Sequence, residues 1–359
     1  MFRGSSLWCG DEPVKGATIH DVARAADVSV ATVSRTLNGL ETVAQGTRDR
    51  VLRAAGELDY VPHSGARALS TRRTDTIGVL LPDLHGEFFS ELIRGIDLAA
   101  RARGLHLLLS SSHGNLAEAE AALRSMRSRV DSVIAMMPNA GEQPLASDRH
   151  LGVPMVLIGS NGAADAIGSF TIDNFAGAFA ITKHLVSSGR SRVAFVTGPA
   201  DNLEASERLR GYRAAMRSFG STEWIVHGDF TEESGRRAAA HLTHNDTPDA
   251  IFCANDMMAI GCLEALREAG GSVPDDIALA GFDDVPIARY VNPPLTTAAV
   301  PIAEIGRQAL ECCADAIGGG DAGGQRSFQP QLVVRASTSS SSSLRQDHSR
   351  PAELGETGS

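Results

Sequence analysis

The chain has 359 residues, 43% of them hydrophobic and 21% charged. That is ordinary for a globular protein with room for two or three domains. No run of roughly 18 apolar residues is present, which excludes a membrane-spanning helix. The amino terminus, MFRGSSLWCGDEPVKGA, has no apolar core of a secretory signal. The net charge of −10 excludes a general nucleic-acid binder, but the charge is unevenly spread. Residues 17–73 carry eight Lys and Arg against six Asp and Glu, residues 1–16 are balanced, and the remainder holds −12. A mildly basic head on an acidic body fits DNA contact confined to the head.

Residues 1–16 read as a flexible leader. Residues 17–61 read as three short helices. Thr18 with Asp21 resembles a capping box, and Ser29 and Thr47 are suited to cap the second and third helices. In the third, Val51, Leu52, Ala55 and Leu58 make one apolar face, and Pro62 ends the segment. The first two helices, separated by a four-residue break, have the spacing of a helix-turn-helix. A linker follows over 62–75.

Beyond it, apolar runs alternate with amphipathic helices. IGVLLP (77–82) precedes a helix whose inner face is Phe89, Leu92, Ile93, Ile96, Ala99 and Ala100. Strands at 105–110, 131–137 and 153–159, with a helix at 115–128, complete a first set. A second set starts near Gly168 with SFTI and continues through strands at 192–198, 223–228, 249–254 and 276–282. Its helices fall near 174–188, 204–218, 231–243 and 256–269. A late helix (301–317) and strand (328–334) close the core, and the Ser-rich 337–359 reads as a disordered tail. Such alternation implies two doubly wound parallel sheets with a ligand cleft between them.

On the second helix, Val30, Ala31, Ser34, Arg35 and Asn38 share an arc of about 140°, at about 100° per residue. Val33 and Leu37 lie to one side for core packing. Arg35 is the one long donor on the arc, suited to guanine O6 and N7, while Val30 and Ala31 can touch only thymine methyls. Thr18, His20, Ser29, Thr32, Ser34 and Asn38 are candidates for phosphate contact. A solvated surface arginine is the bland alternative for Arg35.

The five cysteines, Cys9, Cys253, Cys262, Cys312 and Cys313, show no zinc spacing, and the odd count without a signal fits a reducing cytoplasm. Adjacent Cys312 and Cys313 read as buried small apolar residues. His241 and His244 lie one helical turn apart with no acidic partner pattern, so they read as surface rather than metal ligands. No dinucleotide, P-loop, serine-hydrolase or zinc-protease motif is found. No enzyme activity, cofactor or metal is therefore expected.

The motifs TIHDVARAADVSVATVSRTLNG, TRDRVLRAAGELDYVPHSGARAL, IGVLLPDLHGEFFSEL, ERLRGYRAAM, IFCANDMMAIG, GFDDVPIARYVNPPLTT and LVVRAST occur in this order. In this the chain resembles the LacI/GalR-type transcriptional regulators from about Ala17 to Thr338. The resemblance implies an all-α helix-turn-helix headpiece (17–61), a hinge (62–75) and a periplasmic-binding-protein-like core (76–336). Within the core it implies a first subdomain at 76–160 and 291–322 and a second at 161–290 and 323–336, with crossings near Asn161, Tyr290 and Gly323. It also implies that Val30, Ala31 and Arg35 read bases. In the hinge, His63 stands where the family often has Asn, Ala66 sits at the sugar edge, and Leu69 acts as a minor-groove wedge. Asp27 stands in a turn where relatives usually have Gly; Asp tolerates that conformation better than most residues.

In the cleft, Asp83 follows the first core strand at its ligand-binding edge, and Phe88 and Ser110 are nearby candidates. The resemblance adds Arg208, Asn255 and Asp283 as effector contacts. Each of Asp83, Asn255 and Asp283 could instead cap a local turn or helix. Gly159-Ser160-Asn161 departs from the Asp-Arg of many relatives, so no relative's effector can be copied. The expected partners are an operator DNA duplex, a sugar or similar small polar effector, and a second copy of the chain in a homodimer. The expected location is the bacterial cytoplasm, with the protein drawn to the nucleoid by operator binding. Rival readings are a transporter's solute-binding protein, which would carry a signal peptide and no DNA head, and an activator or dual regulator of the same family.

Overall fold

The computed structural model describes residues 17–39, 42–61, 73–138, 152–160, 166–245, 247–320 and 323–339. The expected leader, most of the hinge and nearly all of the tail lie outside them, as do His63, Ala66 and Leu69. Two compact units divide near Thr74.

The first unit contains α1 (Ile19–Ala25), α2 (Val30–Leu37) and α3 (Gln45–Glu57). Its core is Val22, Ala23, Ala26, Val33, Val51, Ala54 and Ala55, flanked by Ile19, Val28, Val30, Leu37 and Tyr60. The α3 face differs from expectation. Leu52 is 51% exposed and Leu58 is 37% exposed, and Ala54 takes the inward position instead. Its start differs too: Ala44 is the N-cap, so Thr47 lies inside the first turn.

The second unit has two lobes. The first sheet runs β11-β5-β4-β3-β1-β2, all parallel, from β1 (Thr76–Leu81), β2 (His106–Ser111), β3 (Ser132–Met136), β4 (Met155–Ile158), β5 (Gly168–Ile172) and β11 (Gly324–Phe328). The second runs β7-β6-β8-β9, from β6 (Val193–Val196), β7 (Trp224–Val226), β8 (Ala250–Cys253) and β9 (Ala278–Ala280). Helices α4 (Glu87–Ala102), α5 (Leu116–Met126) and α10 (Ile302–Ile317) pack in the first lobe. Helices α6 (Asn174–Ser187), α7 (Leu203–Ser218), α8 (Glu232–Asn245) and α9 (Asp256–Glu268) belong to the second. Burial on both sheet faces explains the near-continuous apolar strand runs in the sequence.

All three crossings move. SFTI is β5, and it pairs with β4 in the first sheet rather than opening the second. The first crossing therefore follows Ile172, not Asn161. The short 159–167 link carries no helical period, which in sequence imitates a break between sets. Likewise 324–328 pairs with β5, so the last crossing follows Phe328, not Gly323. The run expected as one strand at 328–334 is split at Pro330, which has no N–H to continue a ladder. β12 (Gln331–Val333) pairs antiparallel with β10 (Thr297–Ala299) instead. The middle crossing also shifts: Leu295 N–H donates to Ala288 (2.9 Å) and Thr296 N–H to Ser337 Oγ (2.8 Å), which keeps 290–296 with the second lobe.

The tail begins later than expected. Ser337 and Thr338 are buried, Ser337 Oγ donates to Leu279 O (2.6 Å) and Thr338 Oγ1 lies 2.8 Å from Thr296 Oγ1. Cys253, Cys262, Cys312 and Cys313 are all free and buried. Among the described residues no helix is long and apolar enough to cross a membrane.

Candidate DNA-reading face and effector cleft

In the head, local chemistry fixes the two-helix geometry. Thr18 N–H (3.0 Å) and Thr18 Oγ1 (2.6 Å) both donate to Asp21 Oδ2. These bonds hold the Asp21 carboxyl below its ordinary range. The Thr18 hydroxyl proton is thus committed to Asp21, leaving its lone pairs but not its donor for other work. Asp27 adopts φ +52° in the turn, the left-handed conformation that Gly usually supplies. Ser29 Oγ accepts from Thr32 N–H (3.2 Å) and caps α2.

On α2, Val33 and Thr36 are buried while Ala31 and Arg35 are exposed. Val30 is half-buried against the head core, so only part of its surface is free. Ser34, Thr32 and Asn38 are half-exposed, and Asn38 Nδ2 lies 3.4 Å from Ser34 Oγ, a weak contact. His20 and Ser29 are exposed. Among the described residues no carboxylate pairs with Arg35, whereas Arg24 is tied to Asp21 at 3.3 Å. Arg35 is therefore an unpaired guanidinium on a capped, core-anchored helix.

In the second unit the polar residues converge on Arg208, in the second turn of α7. Two devices place that helix. Tyr212, fully buried, donates from its hydroxyl to Val193 O (2.8 Å), accepts from Trp224 N–H (2.9 Å) and stacks on Phe195 with centroids 5.0 Å apart. Burial pushes its phenol up to about 12. Gly211 lets α6 approach; a Cβ there would stand 2.3 Å from Phe175 O.

Arg208 is 2% exposed. Its Nε donates to Asn174 Oδ1 (2.8 Å) and its Nη1 to Ala254 O (2.6 Å). Its Nη2 lies 3.1 Å from Asp283 Oδ1, off the N–H axis, so that contact is ionic rather than an aligned hydrogen bond. The guanidinium sits 4.0 Å over the Phe282 ring and 5.8 Å from that of Phe230. Asp283 holds φ +108° where the second lobe meets β10. Burial pushes its carboxyl up to about 7, against the pull of Arg208.

The other candidates separate. Asn255 caps α9, accepting from Met258 N–H (3.0 Å) and donating to Phe230 O (3.0 Å). Asp83 is exposed and accepts from Leu84 N–H (2.7 Å) and His85 N–H (3.0 Å), so it closes its own turn. Phe88 stands edge-on to Phe89, centroids 5.6 Å apart, and is half-buried on α4. The aromatic floor beneath Arg208 is Phe282 and Phe230 instead. Ser110 lies on edge strand β2, level with Leu80.

Sequence reading missed three groups. Asn174 and Glu204 join the Arg208 cluster, and Asp256 is a second buried acid beside Asp283. Asp256 accepts from Thr297 Oγ1 (2.7 Å) and Val285 N–H (2.9 Å). Burial, reinforced by the charge of Asp283, raises its carboxyl well above the usual range. Glu204 falls one turn before Arg208 on the same face, the only sequence signal that could have found it. The lobes touch here: Leu203 N–H donates to Pro138 O (3.2 Å). Among the described residues no His, Cys, Asp and Glu cluster is arranged to hold a metal.

Residues 18–63 match the family model "Bacterial regulatory proteins, lacI family", and 182–338 match "Periplasmic binding protein-like domain". The HTH-type transcriptional repressor PurR of Aliivibrio fischeri is 34% identical, over 90% of this chain and 98% of its own. The lac repressor dimer bound to operator and the anti-inducer ONPF superposes with TM-score 0.80 at 26% identity, covering 91% of this chain and 100% of that one. The transcriptional regulator CelR in complex with cellobiose gives TM-score 0.66 at 31% identity, over 89% and 99%. The chain is a helix-turn-helix transcriptional regulator of the lacI family.

Proposed function

We propose that this protein binds a pseudo-palindromic operator as a homodimer and represses transcription until a small polar effector, a sugar or sugar derivative, alters that binding. The reading rests on one conjunction: an unpaired Arg35 on a capped helix, and, in the same chain, the buried pair of Arg208 with Asp283. Arg35 is the base reader, with Ala31 and the free part of Val30 against thymine methyls. His20, Ser29, Thr32, Ser34 and Asn38 position the head on phosphates, and Thr18, whose hydroxyl proton goes to Asp21, has no donor left for a phosphate oxygen. His63, Ala66 and Leu69 are the minor-groove elements. A two-fold dimer reads two half-sites, each with its own α2.

Effector and operator bias one equilibrium. Ligand between the lobes changes their relative angle, and with it the spacing of the paired hinges, so each ligand changes the other's affinity by the same factor. Arg208 and Asp283 are the effector's main polar contacts, with Asn174 and Asn255 holding the walls. Asp83, Phe88 and Ser110 line the first lobe's side. The protein works in the bacterial cytoplasm and reaches the nucleoid through its operator.

Selection from random duplex DNA with the full chain tests this reading. It should yield a two-fold symmetric site, and Arg35→Ala should relax one base position in each half. Recovery of no symmetric sequence would overturn it.

A further inference from the structure

The effector cleft holds more acid than its single guanidinium can balance. Glu204, in the first turn of α7, is 8% exposed, and its Oε1 has no hydrogen-bond partner among the described residues. It faces the first lobe: a Cβ on Gly159, at the end of β4, would lie 3.0 Å from Glu204 Oε1 and 3.6 Å from the Met136 side chain. Asp283 Oδ1, 5% exposed, likewise accepts no aligned bond. Each nitrogen of Arg208 between them is engaged, with Asn174, Ala254 O and Asp283. Asp256 differs, because both its oxygens accept hydrogen bonds and its role is structural. Buried acceptors without donors are uncommon in folded proteins and mark places where a donor is missing.

We propose that the effector is a polyhydroxy ligand without negative charge, whose hydroxyl or ammonium groups donate to both Glu204 and Asp283, and that the site rejects sugar phosphates and sugar acids. This rests on the cleft reading above. An anion here would meet two buried acids, repelling it wherever they ionise, and one guanidinium whose charge is already shared, and in a poorly solvated site that repulsion is weakly screened. A hydroxyl donor would satisfy the orphan oxygens and give charge-assisted bonds. An amino sugar would add an attractive charge.

The test uses the full-length protein, with thermal-shift and calorimetric titration against glucose, glucosamine, ribose and cellobiose, and against gluconate and glucose phosphate as anionic counterparts. At least one neutral or amino member should raise the melting temperature, and the anions should not. Glu204→Gln should weaken that member about ten- to hundredfold, while the ligand-free variant melts no lower than the wild type because Oε1 has no hydrogen bond to lose among the described residues. Asp283→Asn should act in the same direction on binding. Stabilisation by an anionic member, or by none, would overturn the inference. Binding that survives both substitutions but is lost in Arg208→Lys would sink this inference and leave the cleft reading standing. Binding indifferent to all three would sink both.

Discussion

The head and the cleft solve recognition in opposite ways. The head keeps its proposed reading group outside: Arg35 is exposed and has no carboxylate partner among the described residues, and α2 is anchored on the small core beneath it. The cleft keeps its groups inside, where Arg208, Asp283, Asn174 and Glu204 are all buried and Arg208 ties Asn174 to Asp283. A DNA backbone brings its own charge to a waiting surface. A small ligand must instead enter among buried groups and supply the donors that Glu204 Oε1 and Asp283 Oδ1 lack among the described residues. Substitutions of Arg35 in the head should therefore change binding with little effect on folding, and substitutions of Arg208 in the cleft should change both.

The largest expected effect tests the second half of that contrast. Arg208→Ala takes the buried donors from Asn174 Oδ1 and Ala254 O and the counter-charge from Asp283, and should cost roughly 3–5 kcal/mol of core stability, read as a lower urea midpoint together with loss of effector response. An unchanged midpoint would contradict the buried pairing. Arg35→Ala is the matching test in the head. It should cost roughly 1–3 kcal/mol of operator affinity and leave the melting temperature of the core in place.

Proton linkage sharpens the difference further. Burial raises Asp283 from its ordinary 3.8 to about 7. Between those values the folded chain holds a proton that the unfolded chain has lost, so stability falls as pH rises and levels off above about 7. Glu204 and Asp256 are shifted upward too and add in the same direction. Asp283→Asn should flatten this slope without abolishing it, as followed by urea titration across that range. Because a hydroxyl ligand needs the carboxylate form, effector affinity should rise over the same interval. The smallest effect concerns Asp27: replacing it with Gly relieves a left-handed turn and should raise head stability by about 1 kcal/mol or less, seen as a higher unfolding midpoint of the helical signal.

The same inside–outside difference decided what could be seen in the sequence. Helix caps and the α2 reading arc follow from local spacing, and Thr18, Asp21, Ser29 and Arg35 stand where spacing puts them. The α3 face was less legible, because Leu52 and Leu58 are apolar yet point outward and small Ala54 fills the contact. The sequence pattern places β5 and β11 with the second lobe, whereas both join the first sheet, since parallel partners far apart in sequence leave no local mark of which sheet they join. The Arg208 cluster draws on α6, α7, the end of β8 and the crossing at Asp283. Motif resemblance pointed to Arg208 and Asp283. Asn174 and Glu204 became visible only once α6, α7 and the end of β4 were brought together.

The central claim is that the cleft and the head report to each other. The most direct test is fluorescence anisotropy of the selected operator with wild-type protein and with Arg208→Lys, with and without a saturating sugar found by thermal shift. The wild type should change operator affinity by the same factor by which operator changes sugar affinity, and Arg208→Lys should lose that factor while still binding DNA. Operator affinity that is indifferent to saturating sugar in the wild type would contradict the account.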